Sequence, residues 1–366
     1  METCTSPSHF PACFVELPLE TEGRRAAFYL AAEEYIADHL PEGSYFFTWQ
    51  IGPTVVMGRN QVAHQEVDLE FCRREGIDVC RRRSGGGAIF ADERNIMTSL
   101  ITEACPVEPL FAEYAEAVAS ALRQLGAPTI VAGRNDIVLR DPPQPSHKGR
   151  KYPSPFKGED GRGSKVCGNA FYHRQNRCIA HGTMLYDTNP RLMEGALHPD
   201  VSKFEQKGVK SVRSRVGLLK DYLPFGVGTL RQRLRTLLCN RTTTLTAEDI
   251  RQIERLEQRY YKEDFLNASA STHSPISYIK TISRRIEGCG MVELQFSLQD
   301  NLITDIQLHG DFFDLGHASE VFQLAFVGQS FTPERLRQAI NTHHPEHSIR
   351  GLNEAALVCL VCNVQM

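Results

Sequence analysis

Apolar residues three and four apart recur in "RRAAFYLAAEEYIADHL" (24–40), with Phe28, Ala31, Ala32, Tyr35 and Ile36 on one face, and this spacing predicts an amphipathic helix. "SYFFTWQI" and "TVVMG" read as strands split by the Gly52-Pro53 turn. "VDLEFCRREG" reads as a short helix stopped by Gly76, and "IDVCRR" as a strand running into "SGGG". "GGAIF" and "NIMTSLIT" read as a hairpin joined through "ADER", and "VEPLFAEYAEAVASALRQLGA" as a long helix. "RNDIVLR", "KVCGNAFYH" and "RCIAHGTMLYD" read as strands, the last two as partners. Between the first and second of these strands, residues 141–164 hold five prolines, four glycines and many charges without apolar periodicity, the composition of a long flexible loop.

From about residue 225 the period changes. "GVGTLRQRLRTLLCN" and "TAEDIRQIERLEQRYYKEDFLN" read as helices, the second with Thr246 as N-cap. After the polar break 268–275 come three strands in a meander, "YIKTISRRIEG", "MVELQFSLQDN" and "LITDIQLHGD". Two helices follow, "HASEVFQLAFVG" and "TPERLRQAINTH". Many strands with few helices between them predict an α+β fold rather than a strict βαβ repeat. The expected division is a first domain over 1–267 and a small α+β domain over 268–366.

Composition adds exclusions. The 366 residues carry a net charge of −3, which gives no bulk attraction to nucleic acid. No apolar run approaches the roughly 18 residues of a membrane span, and the N-terminal stretch lacks the pattern of a secretory signal. Eleven scattered cysteines, an odd number, point to a reducing cytoplasm rather than a disulfide framework. The Cys359/Cys362 pair reads as two buried thiols in an apolar terminal segment.

Four stretches carry candidate chemistry. "RRRSGGGAIF" (81–90) joins arginines to glycines whose backbone N–H groups can approach an anion, yet it is neither a Walker A loop nor G-x-G-x-x-G. In an extended segment Arg81 and Arg83 share one face and Arg82 the other; the bland alternative is a glycine-rich hairpin with solvated arginines. "GRNDIVL" places Asn135 and Asp136 before a strand, where such residues also serve as plain turn formers. "KVCGNAFYHRQNRCIAHGTMLYD" opens with Lys165, a point charge for phosphate or a surface lysine, and contains His181, a base or a satisfied core histidine. "KGVKSVRSRV" gathers Lys207, Lys210, Arg213 and Arg215, a docking patch for an acidic partner or a solvated face.

In this order, from "VVMGRNQ" through "RRRSGGGAIFADERN", "GRNDIVL", "KVCGNA", "AHGTMLYD" and "KGVKSVRSRV", the motifs resemble the lipoate–protein ligases of the biotin/lipoate ligase superfamily over roughly residues 25 to 225. "MVELQFSLQDNLITDIQLHGDFF" extends the resemblance into an accessory C-terminal domain. The resemblance implies a mixed-sheet catalytic domain that makes lipoyl-AMP from lipoate and ATP with Mg²⁺ and releases pyrophosphate. The acyl group then passes to a lysine of lipoyl carrier domains, those of 2-oxoacid dehydrogenase complexes or of the glycine cleavage H protein. It assigns adenylate binding to Arg82, Ser84, Gly86, Gly87, Ala88, Ile89 and Phe90, with Asn135 and Asp136 near the nucleotide and Asp136 at its metal. Lys165 becomes the catalytic lysine, binding both adenylate and lipoate, and His181 and Gly182 line the lipoyl pocket. Lys207, Lys210, Arg213 and Arg215 dock the carrier. The loop 141–164, longer than usual, is expected to act as a lid, since it lies immediately before Lys165 and is rich in Lys and Gly.

The chain departs from the family pattern in "FADERN", where many members read Phe-His-Asp-x-Gly-Asn: Ala91 stands for the histidine and Arg94 for the glycine. Two other readings stay open at this point. One is a lipoyl or octanoyl transferase working without ATP through a cysteine thioester at Cys178, with Cys167 nearby. The other is a non-catalytic carrier-binding homologue, for which Ala91 is the best argument.

Overall fold

The structure, a computed structural model, describes residues 9–133, 135–140, 164–198, 216–266 and 278–362. Residues 141–163 and the basic cluster at Lys207, Lys210, Arg213 and Arg215 lie outside the described residues, and with them the lid and docking readings. The chain divides into two compact units, one of Met1–Val55, Val67–Cys80 and Phe90–Arg259, the other of Val56–Glu66, Arg81–Ile89 and Tyr260–Met366. The glycine run thus packs with the C-terminal part of the chain.

The first unit is built on an eight-stranded mixed sheet, in the order β11-β1-β2-β6-β10-β9-β8-β7. Its strands are β1 (Ala12–Glu16), β2 (Tyr45–Trp49), β6 (Asn95–Glu103), β7 (Thr129–Ala132), β8 (Asp136–Leu139), β9 (Lys165–Arg174), β10 (Arg177–Leu185) and β11 (Cys239–Thr244). β9 and β10 form the expected antiparallel hairpin, Arg174 opposite Arg177 and Asn169 opposite Gly182. β10 also pairs with β6 over its full length, so that His181 meets Ser99 and Gly182 meets Thr98. Neighbouring residues of a strand face opposite sides. Ser99 and His181 therefore look toward helix α1 (Ala26–His39), and Thr98 and Gly182 toward the long helix Val107–Gln124. Two faces each covered by helix explain why β6 reads as a continuous apolar and hydroxyl run, with eight of nine residues buried.

Two expectations change here. The helix Ala26–His39 is buried on every side from Ala26 to Ala37, Glu33 and Glu34 included, so it is a core helix and not an amphipathic surface one. The hairpin expected between "GGAIF" and "NIMTSLIT" does not form. β5 (Ile89–Ala91) joins a separate small sheet with β3 (Thr54–Met57) and β4 (Asp78–Arg81), whereas β6 sits between β2 and β10. The short helix Leu69–Glu75 ends as expected, capped by the Asp68 side chain on Phe71 N–H at 2.8 Å and closed by Gly76 at φ 67°. Thr246 caps Ala247–Glu257 in a full capping box with Asp249.

The C-terminal part of the second unit follows the expected meander: β12 (Tyr278–Ile286), β13 (Gly290–Gln299) and β14 (Leu302–Gly310) pair antiparallel in order. The helices Ala318–Phe326, Pro333–His343 and Glu354–Cys362 cover it, closing a core that includes Val292, Leu294, Phe296, Phe322, Phe326 and Ile340. The C-x-x-C falls on the last helix, with both thiols only half-buried. The chain is α+β, as its pattern of strands and helices implies. No helix among the described residues is long and apolar enough to cross a membrane.

Candidate active site

Lys165 opens β9, and the start of that strand is irregular. Asp136 of β8 pairs with Gly168 and Ile137 with Cys167, but Val138 pairs with Lys165, which leaves Val166 as an extra, bulged residue. Without the bulge, Lys165 would share the face of Cys167 and Asn169. With it, Lys165 turns to the face of Asp136 and Gly168, where His181 also lies. Two backbone bonds fix this end of the strand: Leu139 N–H donates to Ser164 O at 2.9 Å and Gly217 N–H to Lys165 O at 2.8 Å.

The result is an ion pair. Lys165 Nζ stands 2.6 Å from Asp136 Oδ1, each side chain about one-third exposed, and among the described residues Oδ1 has no other partner. The ammonium reaches this place by crossing over Gly168: a Cβ there would lie 2.6 Å from Nζ and 2.8 Å from Cε. Gly168 is thus a site residue that reasoning from charged and nucleophilic types passes over; its signal was the glycine three positions after the lysine.

Asn135 and Asn169 lock the two strands together. Asn169 N–H and Nδ2 both donate to Asn135 O, at 3.0 and 2.9 Å, and Asn135 Nδ2 donates to Asn169 O at 2.5 Å. The Asn135 amide nitrogen is therefore engaged in holding Asp136 in register. Behind it, a Cβ on Gly182 would meet Asn169 Oδ1 at 2.3 Å, so the glycine of "HGT" is required for this packing.

His181 lies on the opposite face to Gly182. Its Nδ1 is 3.0 Å from both oxygens of Glu33, which is fully buried. Ser99 Oγ donates to Glu33 at 2.6 Å and Trp49 Nε1 to Ser99 Oγ at 2.9 Å. This chain of buried bonds fixes the imidazole and gives the Glu33 charge its partners. Neither Glu33 nor Trp49 carried a signal in the sequence.

In the glycine run the arginines are not solvated, and that alternative falls. Arg81 is 1% exposed and donates to the carbonyls of Gly58, Arg59, Gln61 and Leu266. Arg82 is 6% exposed and donates to Ser84 Oγ and to the carbonyls of Val56, Gly85 and Gly87. Arg83 lies over the rings of Tyr260 and Phe265. Arg82 is thus an internal strut that shapes the loop, with Ser84 buried beneath it. The glycines serve close approach: a Cβ on Gly58 would stand 1.9 Å from Gly86 O, and one on Gly85 would stand 2.3 Å from Phe312 O. Gly86, at φ +89°, donates its N–H to Phe312 O at 3.1 Å, so that donor is occupied. Gly87, Ala88 and Ile89 are the half-exposed part of the loop, and Phe90 is buried.

"FADERN" forms a tight turn. Asp92 N–H donates to Asn95 Oδ1 at 2.8 Å, and Asp92 accepts from the N–H groups of Arg94 and Asn189. Burial raises the Asp92 pKa above its ordinary value. Ala91 is wholly buried.

Neither cysteine near this region is poised as a nucleophile. Cys167 is wholly buried, and burial pushes its thiol up to about 12. Cys178, 1% exposed, is also shifted up, first by its hydrogen bond to Cys105 and then by burial. Asp136 is a single carboxylate, enough for Mg²⁺ when phosphate oxygens complete the shell, as is usual for that ion. An open groove of about 730 Å³ in the same unit, lined by Tyr29, Trp49 and Arg231 among others, contains none of the expected site residues.

With this geometry in hand, two family models match the chain: the lipoyl protein ligase A/B catalytic domain over residues 25–238 and the bacterial lipoate protein ligase C-terminus over 276–360. The lipoate-protein ligase LplJ of Bacillus subtilis is 30% identical over 343 residues, 91% of this chain and 95% of the relative. Among solved structures, a bipartite lipoate protein ligase from Thermoplasma acidophilum, described together with its E2 lipoyl domain, matches with a TM-score of 0.58 at 22% identity, covering 72% of this chain and 99% of that one. A lipoate-protein ligase A bound with ATP matches with a TM-score of 0.55 at 21% identity, covering 71% and 99%. The two structural likenesses establish the fold.

Proposed function

The chain belongs to the lipoate–protein ligase family, and from that premise we propose that it activates lipoate with ATP and passes the lipoyl group to lipoyl carrier domains, with Lys165 at the centre of the first step. The observation that carries the reading is the Lys165–Asp136 pair seated over Gly168. In the first step a lipoate carboxylate oxygen attacks the α-phosphorus of ATP, the bond from that phosphorus to the α,β-bridging oxygen breaks, and pyrophosphate leaves. Two anions must be brought together, so the site has to supply positive charge that is already in place. Lys165 spans the carboxylate and the α-phosphate and afterwards holds the mixed anhydride; Asp136 orients the ammonium until substrate arrives.

Phosphate recognition falls to the half-exposed part of the glycine loop, Gly87 and Ala88, with Ile89 and Phe90 on the nucleotide side. Arg82, Ser84 and Gly86 act by shaping that loop. Mg²⁺ would be held by Asp136 and phosphate oxygens and would neutralise charge on the departing pyrophosphate. Asn135 fixes Asp136, and His181, anchored on Glu33, and Gly182 shape the two layers beside the lipoyl chain. In the second step a carrier lysine, arriving as the neutral amine, attacks the acyl carbon; AMP leaves, an amide forms, and the amine gives up a proton.

The carriers are lipoyl domains of 2-oxoacid dehydrogenase complexes and glycine cleavage H protein, acidic partners for Lys207, Lys210, Arg213 and Arg215. The ligase of Thermoplasma acidophilum described with its E2 lipoyl domain supports this class of partner. The catalytic domain is assigned to 1–267 and the accessory domain to 268–366, with one family model on either side of that boundary. Ten free thiols among the described residues support a reducing, cytoplasmic setting. Lys165→Ala tests the site: lipoate-dependent ATP–pyrophosphate exchange is abolished while circular dichroism stays unchanged. Exchange at the wild-type rate overturns the assignment.

A further inference from the structure

The C-terminal unit holds a cluster that the ligase reaction does not use. "HHPEHS" (343–348) follows the helix Pro333–His343. His344 takes the left-handed conformation at φ 47°, uncommon for a residue with a side chain, and a short 3₁₀ turn runs from Pro345 to Ser348. That turn is tied down: His347 N–H donates to His344 O at 3.1 Å, Ser348 Oγ to Pro345 O at 2.6 Å, and Leu315 N–H to Ser348 O at 2.9 Å. The kink at His344 brings its ring parallel to that of His347, 5.3 Å apart at 15°.

Between the rings lies Glu346, whose side chain is 3% exposed. Its Oε1 is 3.2 Å from His344 Nδ1 and 3.6 Å from His347 Nε2, while its Oε2 is buried with no hydrogen-bond partner among the described residues. Among the described residues its ion-pair partners are these two histidines, with no lysine or arginine beside it. A buried carboxylate needs a cation, because desolvating it alone costs several kcal/mol. The histidine side chains are 50% and 76% exposed, so the cluster opens to solvent on one side.

The spacing fits a metal ion. Ligand atoms at the corners of a tetrahedron with bonds of about 2.0–2.1 Å stand about 3.3 Å apart. The two measured contacts straddle that figure, and one ligand atom from each of the three residues lies within 4.8 Å of the others. Two imidazole nitrogens and one carboxylate select borderline transition metals over Mg²⁺ or Ca²⁺. We propose that His344, Glu346 and His347 form a binding site for a divalent transition metal of the Zn²⁺ class, with the open position left to water. This site is separate in residues and in chemistry from the Asp136 corner, and it stands or falls independently of the ligase assignment.

The test is calorimetric titration of Zn²⁺ into the tag-free full chain, kept reduced so that thiol binding is common to every sample. The double variant His344→Gln/His347→Gln should bind one Zn²⁺ fewer per chain than wild type. Glu346→Gln should weaken that same site at least tenfold. Should the double variant fail to fold, His347→Ala alone, altering a largely exposed side chain, should weaken the same site at least tenfold. Stoichiometry and affinity equal to wild type in the folded variants would overturn the proposal.

Discussion

Replacing Gly168 by alanine should uncouple stability from chemistry. The added methyl would stand 2.6 Å from Lys165 Nζ and 2.8 Å from Cε, but 3.9 Å from Asp136 Oδ1. Ordinary contact needs about 3.5–4.0 Å, so the ammonium must retreat by roughly 1 Å while Asp136 stays in place. The displaced atoms are the far end of a flexible chain, and Gly168 lies in a regular strand pairing. The fold should therefore lose less than about 1 kcal/mol, part of it returned by the smaller entropy of the unfolded chain. Catalysis has no such slack: a misplacement of about 1 Å costs on the order of 100-fold, equivalent to about 2.7 kcal/mol of barrier. Lipoate-dependent ATP–pyrophosphate exchange reads the second quantity and urea denaturation the first, with Lys165→Ala as the floor. Exchange within threefold of wild type would refute the argument that Gly168 positions the lysine. A destabilisation above about 2 kcal/mol would show that the crowding falls on the backbone instead.

Arg82→Ala removes four hydrogen bonds from inside the glycine loop and should cost about 3 kcal/mol in urea denaturation; a loss below about 1 kcal/mol would return Arg82 to direct ligand binding. Cys178→Ser should leave ATP-dependent lipoylation of a carrier domain within twofold of wild type, measured by gel shift, because the thiol is buried and held up in pKa. Loss of activity in that variant would revive the thioester route. Cys105 is the thiol to watch: hydrogen bonds from Cys178 above all, and from His9, hold its pKa well below the usual thiol value. Its alkylation by iodoacetamide, followed by mass spectrometry, should stay nearly constant from pH 8 to pH 6, since the thiolate persists as pH falls. An ordinary thiol slows about tenfold per unit below its pKa near 8.5, and that behaviour at Cys105 would contradict the contact.

Much of the fold was legible because its signals are local. The stop at Gly76, the capping box at Thr246, the β9–β10 hairpin and the terminal meander each rest on residues close in sequence. What the pattern missed depends on distant partners. β5 and β6 follow one another with a turn between them, yet each finds more pairing elsewhere, so adjacency misled. The helix Ala26–His39 carries two glutamates that looked like a solvent face; Ser99 and His181 meet one of them, 66 and 148 residues away, and no local signal records that. Around the candidate site, the sequence singled out residues but did not show what each side chain touches. Arg82 read as a hand for phosphate because arginine types suggest anions, and only the carbonyls around it reveal a strut. Ala91, conspicuous as a departure from the family pattern, is wholly buried, which its place in the sequence did not reveal.

The bulge at Val166 has a consequence for how this chain tolerates change in length. Which way Lys165 points is decided by parity, counted from the pairings of Asp136 with Gly168 and Val138 with Lys165. Those pairings join strands on either side of residues 141–163, so insertions or deletions in that segment leave the count untouched. Removing Val166 would leave Lys165 opposite Val138 and on the same side of the sheet, whereas pairing Val166 itself with Val138 would turn the lysine to the other side. One stretch of sequence can thus drift in length, while in the next a single pairing, Val138 with Lys165, decides the lysine's side.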